Sequence, residues 1–194
     1  MGLLRDLFSR SSSGAVEVLA ARLENAPAIV AAAGRADMPV SVAAALAELE
    51  SGGRNVFGRD RGGVFATPGA PPVAVTRERV AELRRRVAAG ETSNGVGPAQ
   101  ITWPPFFDRA DAEGLDLAEP EDNLTLGLRI LHEHAAGDLS SDGLERAGTL
   151  YNAGTLAGGV TGYGRRLARA TRQLAGRLGE PAYPSSSVHK AGAT

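Results

Sequence analysis

Apolar residues recur every three or four positions along most of this chain, a spacing that gathers them on one face of an α-helix instead of alternating them across a strand. The first run is Leu3, Leu4, Leu7 and Phe8, and after the break Ser11-Ser12-Ser13-Gly14 a second extends to about Ala33. From Pro39 to Leu49 a third places Val42, Ala45, Leu46 and Leu49 on one stripe, with Pro39 at its start and Ser41 as the candidate N-cap. Thr76 to Ala89 predicts a helix opened by Thr76 and closed by Gly90, with Val80, Leu83 and Val87 facing inward. Further helices are predicted at about Pro104 to Glu113, Pro120 to Ala136 with Gly137 as its stop, and Ser141 to Leu150. A last one, Gly162 to Leu178, keeps Leu167, Ala170, Leu174 and Leu178 inside and surrounds them with Arg165, Arg166, Arg169, Arg172 and Arg177, which read first as a solvated face and second as a contact for an anionic polymer or an assembly partner.

Gly52 to Val75 shows neither periodicity and reads as a long loop with a short hairpin around Val64 and Phe65. Gly179 to Thr194 has little to bury and reads as a flexible tail. The pattern therefore predicts a mainly α protein with a helical preamble over 1–38, one helical domain over 39–178 and a tail over 179–194.

Composition narrows the function classes. With 194 residues, 43% hydrophobic and 22% charged, the chain fits one globular domain and not a collagen, a coiled coil or a disordered polymer. The longest apolar run, Ala26 to Gly34, falls short of the roughly 18 to 20 residues that a membrane span needs. Basic and acidic side chains number 21 and 22, so the overall charge gives no reason to expect nucleic-acid binding. The absence of cysteine removes disulfides, thiolate nucleophiles and Cys-based zinc sites. His132 and His134 stand two apart on a helix and point to different faces, so neither a metal nor another cofactor is expected. Met1 to Arg10 lacks the 7 to 15 apolar residues of a secretory signal, which predicts a protein made in the cytoplasm.

One carboxylate stands out by position. Glu50 ends an apolar helix, where the helix wall withdraws water and the negative end of the macrodipole opposes ionisation; both effects favour the protonated acid. Its neighbour Glu48 shows that a glutamate at such a place can equally be an ordinary exposed charge.

What lifts Glu50 is the company it keeps. Glu50-Ser51-Gly52-Gly53, Gly97-Pro98-Ala99-Gln100-Ile101-Thr102, the run from Glu119 to Leu124 continuing to Gly127 and Leu131, and Leu150-Tyr151-Asn152-Ala153-Gly154 follow one another in this order. Together they resemble the lysozyme-like superfamily of goose-type lysozymes, soluble lytic transglycosylases and phage lysins, over about Val40 to Arg166. The long insert between Glu50 and Gly97, with the continuation Ile101-Thr102-Trp103, is closest in style to actinobacterial phage lysins or tail-associated lysozymes.

The resemblance implies a lysozyme-like helical domain with a long loop or small hairpin insert after the catalytic helix, flanked by N-terminal helices and a C-terminal helix. It implies a muramidase that cleaves the bond between N-acetylmuramic acid and N-acetylglucosamine in peptidoglycan, with Glu50 as general acid. A lytic transglycosylase, or a structural piece of a tail or injection apparatus, are the alternatives. Asp60, in the Gly-rich context Phe57 to Gly63, is the candidate base; the competing reading is a loop charge paired with Arg59 or Arg61, and Glu91 and Asp111 stand in reserve. Ser51, Gly97, Gln100, Tyr151 and Asn152 carry the substrate-binding roles, with Gln100 offering donor and acceptor to a sugar. Trp103, beside Phe106 and Phe107, reads first as core packing and second as a saccharide platform. The expected partners are glycan strands and the proteins of a phage tail or injection particle. Such an enzyme would act at the cell wall, released by lysis or carried in a particle.

Overall fold

The computed structural model describes residues 12–181, and these are mainly α-helical. They open in α1 (12–20), followed by α2 (Ala26–Arg35), α3 (Val40–Glu50), α4 (Arg77–Ala88), α5 (Pro104–Ala112), α6 (Pro120–Ala135), α7 (Ser141–Ala153) and α8 (Gly162–Leu178). The predicted run Leu3 to Phe8 and most of the tail lie outside the described residues. No described helix is long and apolar enough to cross a membrane.

α3 is the axis around which the rest is built. Every residue from Ser41 to Ala47 is buried, and because four of them are alanines, neighbouring helices approach closely from several sides. α8 and α2 pack on it, α6 packs on α2, and α7 joins α6 to α8. Leu46, Leu124, Leu128, Leu131, Leu144 and Leu167 form the large apolar centre of this arrangement.

Three local expectations need correction. The predicted run from the serine break to Ala33 is two helices, because Asn25 turns the chain in the left-handed region (φ 54°) just ahead of Pro27. Its side chain then donates to the Gly53 carbonyl at 2.8 Å, docking the N-terminal helices against the turn that follows α3. Ser41 is not the N-cap of α3: that position is Pro39, which offers no side-chain acceptor. The Ser41 amide is met from across the molecule by the Glu180 carboxylate at 3.2 and 3.3 Å, an anion at the positive end of the helix. Glu180, placed in the tail by the pattern, is therefore docked on the core.

The long loop after α3 also departs from its expectation. No hairpin forms at Val64 and Phe65. Isolated bridges join Val56 to Ala74, Phe57 to Val96, Gly63 to Thr92 and Val96 to Ile101. A side chain does what a strand ladder would otherwise do: buried Asn94 accepts from the Phe65 amide at 2.9 Å and donates to the carbonyls of Gly58 and Ala66 at 2.7 and 2.8 Å. The Phe65 ring then rests on Phe57, centroids 4.7 Å apart.

α4 starts at its Thr76 cap and α8 spans the predicted Gly162 to Leu178. α7 runs one turn further than its apolar pattern, to Ala153, and so carries Tyr151 and Asn152 on its last turn.

Candidate active site

The C-terminal end of α3, the last turn of α7, the segment from Thr92 to Trp103 and the loop around Asp60 enclose an open cleft of about 1010 Å³. Its lining brings together Glu50, Asp60, Gln100, Trp103, Tyr151 and Asn152 from four separate stretches of sequence. Ser51 and Gly97 do not line it; they lie beneath, holding its floor.

Glu50 is largely withdrawn from water at the end of α3, and burial pushes its carboxyl up to about 7. The opposing influence comes from Tyr163 on the first turn of α8, whose hydroxyl donates to Glu50 Oε1 and favours the carboxylate. That phenol is itself buried and held neutral far above its usual range by burial and by the charge of Glu50. Glu48, two positions earlier, instead pairs with Arg22 at 2.8 Å near the surface, the ordinary fate that Glu50 escapes. Removing the hydroxyl in Tyr163→Phe leaves burial unopposed, so the Glu50 carboxyl should titrate at a higher pH than in the parent. Carbon NMR of the Glu50 carboxyl measures this, and an unchanged or lowered midpoint would refute it.

The hydroxyl of Tyr151, expected to serve the substrate, is engaged with the protein's own backbone. It donates to the Ala99 carbonyl at 2.6 Å, so the group directed at the acid is that of Tyr163, and Tyr151 braces the floor.

That floor is a tight turn held by side-chain amides. Gln100 lies in the left-handed region (φ 52°), and its Nε2 donates to the carbonyls of Gly97 and Val56 at 2.8 and 3.1 Å. Its Oε1 fills the space where a Cβ on Gly58 or Gly95 would stand, at 2.3 and 2.5 Å. The amide nitrogen is thus spent on backbone carbonyls and the oxygen packs against two glycines, so Gln100 shapes the cleft that it lines. Buried Asn123 on α6 accepts from the Ala99 amide and donates to the Val96 carbonyl, both at 2.8 Å. Gly97 needs both its positive φ of 70° and its missing Cβ, which would sit 2.6 Å from the Asn123 carboxamide. Ser51 donates to the Pro98 carbonyl at 3.0 Å and ties this turn to the end of α3.

Asp60 forms no ion pair with Arg59 or Arg61; one of its oxygens accepts from the Gly95 amide at 2.9 Å. Of the reserves, Glu91 lines the cleft but is gripped by Arg86 at 2.5 and 2.8 Å, which holds its carboxyl below the usual range. Asp111 is bound by Arg84 on the surface, outside the cleft lining.

Trp103 is 59% exposed at the rim, edge-on to Phe106 at 5.0 Å, so the core-packing reading fails for it and holds for Phe107. His134 also lines the cleft, and burial holds its imidazole below its usual value. Among the described residues no three His, Asp or Glu side chains are grouped to hold a metal ion.

Sequence reasoning missed Tyr163, Asn123 and Asn94. Tyr163 continues the inward stripe of Leu167 and Leu174 and so reads as core. Asn123 carries a signal, a carboxamide in the first turn of an otherwise apolar helix face, that marks a side chain working on a neighbouring loop. No family model matches the chain, and neither the curated proteins nor the solved structures provide a match to it.

Proposed function

We propose that this chain is a glycoside hydrolase of the lysozyme kind that cleaves peptidoglycan glycan strands between N-acetylmuramic acid and N-acetylglucosamine. The observation that carries the reading is Glu50: a carboxyl raised to about 7 by burial, at the wall of an open cleft. Such a group is substantially protonated at neutral pH and can deliver its proton to the leaving oxygen as positive charge develops on the sugar. The exposed Trp103 ring at the rim offers a face on which the apolar side of a sugar stacks. The order of the four motifs supplies the substrate class.

In the hydrolytic mechanism Asp60 activates the attacking water through the oxygen that Gly95 leaves unengaged, while Glu50 acts as acid. A second reading is favoured by one observation. The Gly95 amide anchors Asp60 as a loop-holding group, and a one-acid lytic transglycosylase needs no base, because the sugar's own hydroxyl attacks to close an anhydro ring.

Product analysis on purified walls tests both. Hydrolysis leaves new reducing ends, and Asp60→Asn should lower their release about 100-fold or more. Anhydro ends that persist in this variant would select the transglycosylase. No cleavage by the parent chain under any condition would refute the enzymatic reading and favour a structural role in a tail or injection particle.

A further inference from the structure

α8 presents a charge pattern found on no other described helix. Its buried side carries Tyr163, Leu167, Thr171 and Leu174; its exposed side carries Arg165, Arg166, Arg169, Arg172 and Arg177 and no acidic residue. At about 100° per residue these five arginines occupy an arc of about 140°, and they extend along about 18 Å of the axis.

Most arginines on the other helices face carboxylates, Arg79 and Arg85 on α4 excepted: Arg35 meets Asp122 at 2.6 Å, Arg84 meets Asp111 at 2.6 Å and Arg109 meets Glu133 at 2.6 Å. Among the described residues none of the five on α8 does. Arg165 donates to the Val160 carbonyl, Arg172 to the Ser141 hydroxyl, and Arg166 lies 5.9 Å over the Tyr163 ring, so their charges remain uncompensated. A chain of net charge −1 has thus concentrated unneutralised positive charge on one face. No α8 residue lines the cleft itself, but the face starts one side chain away from it: Arg166 lies 5.9 Å over the ring of buried Tyr163, whose hydroxyl holds Glu50 in the cleft wall.

We propose that the α8 face binds a phosphodiester-linked anionic polymer carried on the peptidoglycan, holding the wall while the glycan occupies the adjoining cleft. This rests on the peptidoglycan reading of the cleft. Charge complementarity selects an anionic occupant, and the nearness of Arg166 to Tyr163, which holds Glu50, selects one attached to the strand in the cleft. Guanidinium groups suit it because each can bind two phosphate oxygens, and release of counterions makes the attachment strongly salt-dependent.

The test uses the full chain carrying Glu50→Gln, so that the wall is not consumed, and measures co-sedimentation with two materials. One is the whole bacterial wall; the other is the same wall stripped of phosphodiester polymers by hydrofluoric acid. Adding R169Q, R172Q and R177Q together, which spares the arginine over Tyr163, should weaken binding to whole walls about tenfold at low salt and flatten its salt dependence. On stripped walls the triple variant should bind as its parent does. Equal binding of the two to whole walls, or an equal loss on both materials, overturns the proposal. Tighter binding of the parent to duplex DNA than to whole walls also overturns it and assigns the face to nucleic acid. Cleavage of stripped walls by the chain with Glu50 intact is read separately, so failure of the enzymatic reading is distinguishable from failure of this one.

Discussion

Glu50→Gln is expected to lower cleavage of purified peptidoglycan by about 1000-fold or more, because glutamine fills the same space and still accepts from Tyr163 but cannot deliver a proton. Activity of the parent should fall as pH rises through about 7, where the carboxyl loses the proton that the leaving group needs. A variant that retains activity within tenfold of the parent would remove Glu50 from the chemistry.

The same substitution has a stability signature of opposite sign. A glutamate ordinarily titrates near 4.5, and in the folded chain this one does so at about 7. Below 4.5 the carboxyl is protonated whether the chain is folded or not, so it has no effect. As pH rises from 4.5 through 7 the unfolded chain ionises freely while the folded one resists, and stability is lost across that window by at most on the order of 3 kcal/mol. Glutamine has no proton to lose. Glu50→Gln should therefore match the parent in urea unfolding at pH 4 and exceed it at pH 8. Equal stabilities at pH 8 would mean that the carboxyl is well solvated, and with it the argument for a neutral acid would go.

The second large effect is expected from a single methyl group. Gly164→Ala should destabilise the fold by about 3 kcal/mol, at the upper end for overpacking, and should abolish cleavage. A Cβ at Gly164 would stand 2.0 Å from the Glu145 carbonyl oxygen and 2.5 Å from the Thr149 hydroxyl. From the facing helix, a Cβ on Gly148 would meet the Gly164 backbone at 3.1 Å. α7 and α8 therefore touch backbone to backbone, and backbone cannot rotate out of the way as a long side chain can. The relief is to part the helices, which withdraws Tyr163, the preceding residue, from Glu50. Gly176→Ala on the same helix is the control: nothing lies within 4 Å of its Cβ, so the gain in helix propensity should stabilise by about 0.5 to 1 kcal/mol. A loss under 1 kcal/mol for Gly164→Ala in thermal or urea unfolding would show that the helix pair can slide apart cheaply.

Gly164 and Gly176 on α8 look alike in sequence, and that contrast shows where sequence reading stops. Helix ends were legible where their chemistry is local: the hydroxyl of Thr76 caps the helix it precedes, and the apolar stripe of α8 runs from its first turn to its last. Glu50 was legible for the same reason, since its place at the end of an apolar helix is a fact about neighbouring residues. The order of the long loop was not, because distant amides impose it. Asn94 holds Gly58, Phe65 and Ala66, and Asn123 holds Val96 and Ala99, with no periodicity in the loop itself to announce either. Ser41 misled because a serine near a helix start usually caps it, whereas here a carboxylate 139 positions away does so. The rim position of Trp103 was misjudged because Pro-Pro and two phenylalanines beside it are equally at home in a core.

The docking of Glu180 on α3 and of Tyr163 on Glu50 bears on how the protein comes into being. These partners are separated by 139 and 113 positions, so a ribosome that has already released α3 has many seconds of synthesis ahead before either contact can form. Until then α3 has an uncapped start and Glu50 sits on an unfinished helix in water, with an ordinary acidity and no neutral proton to give. The carboxyl is therefore made early and buried late: a chain that stops short of α8 carries Glu50 without the packing that keeps it from water.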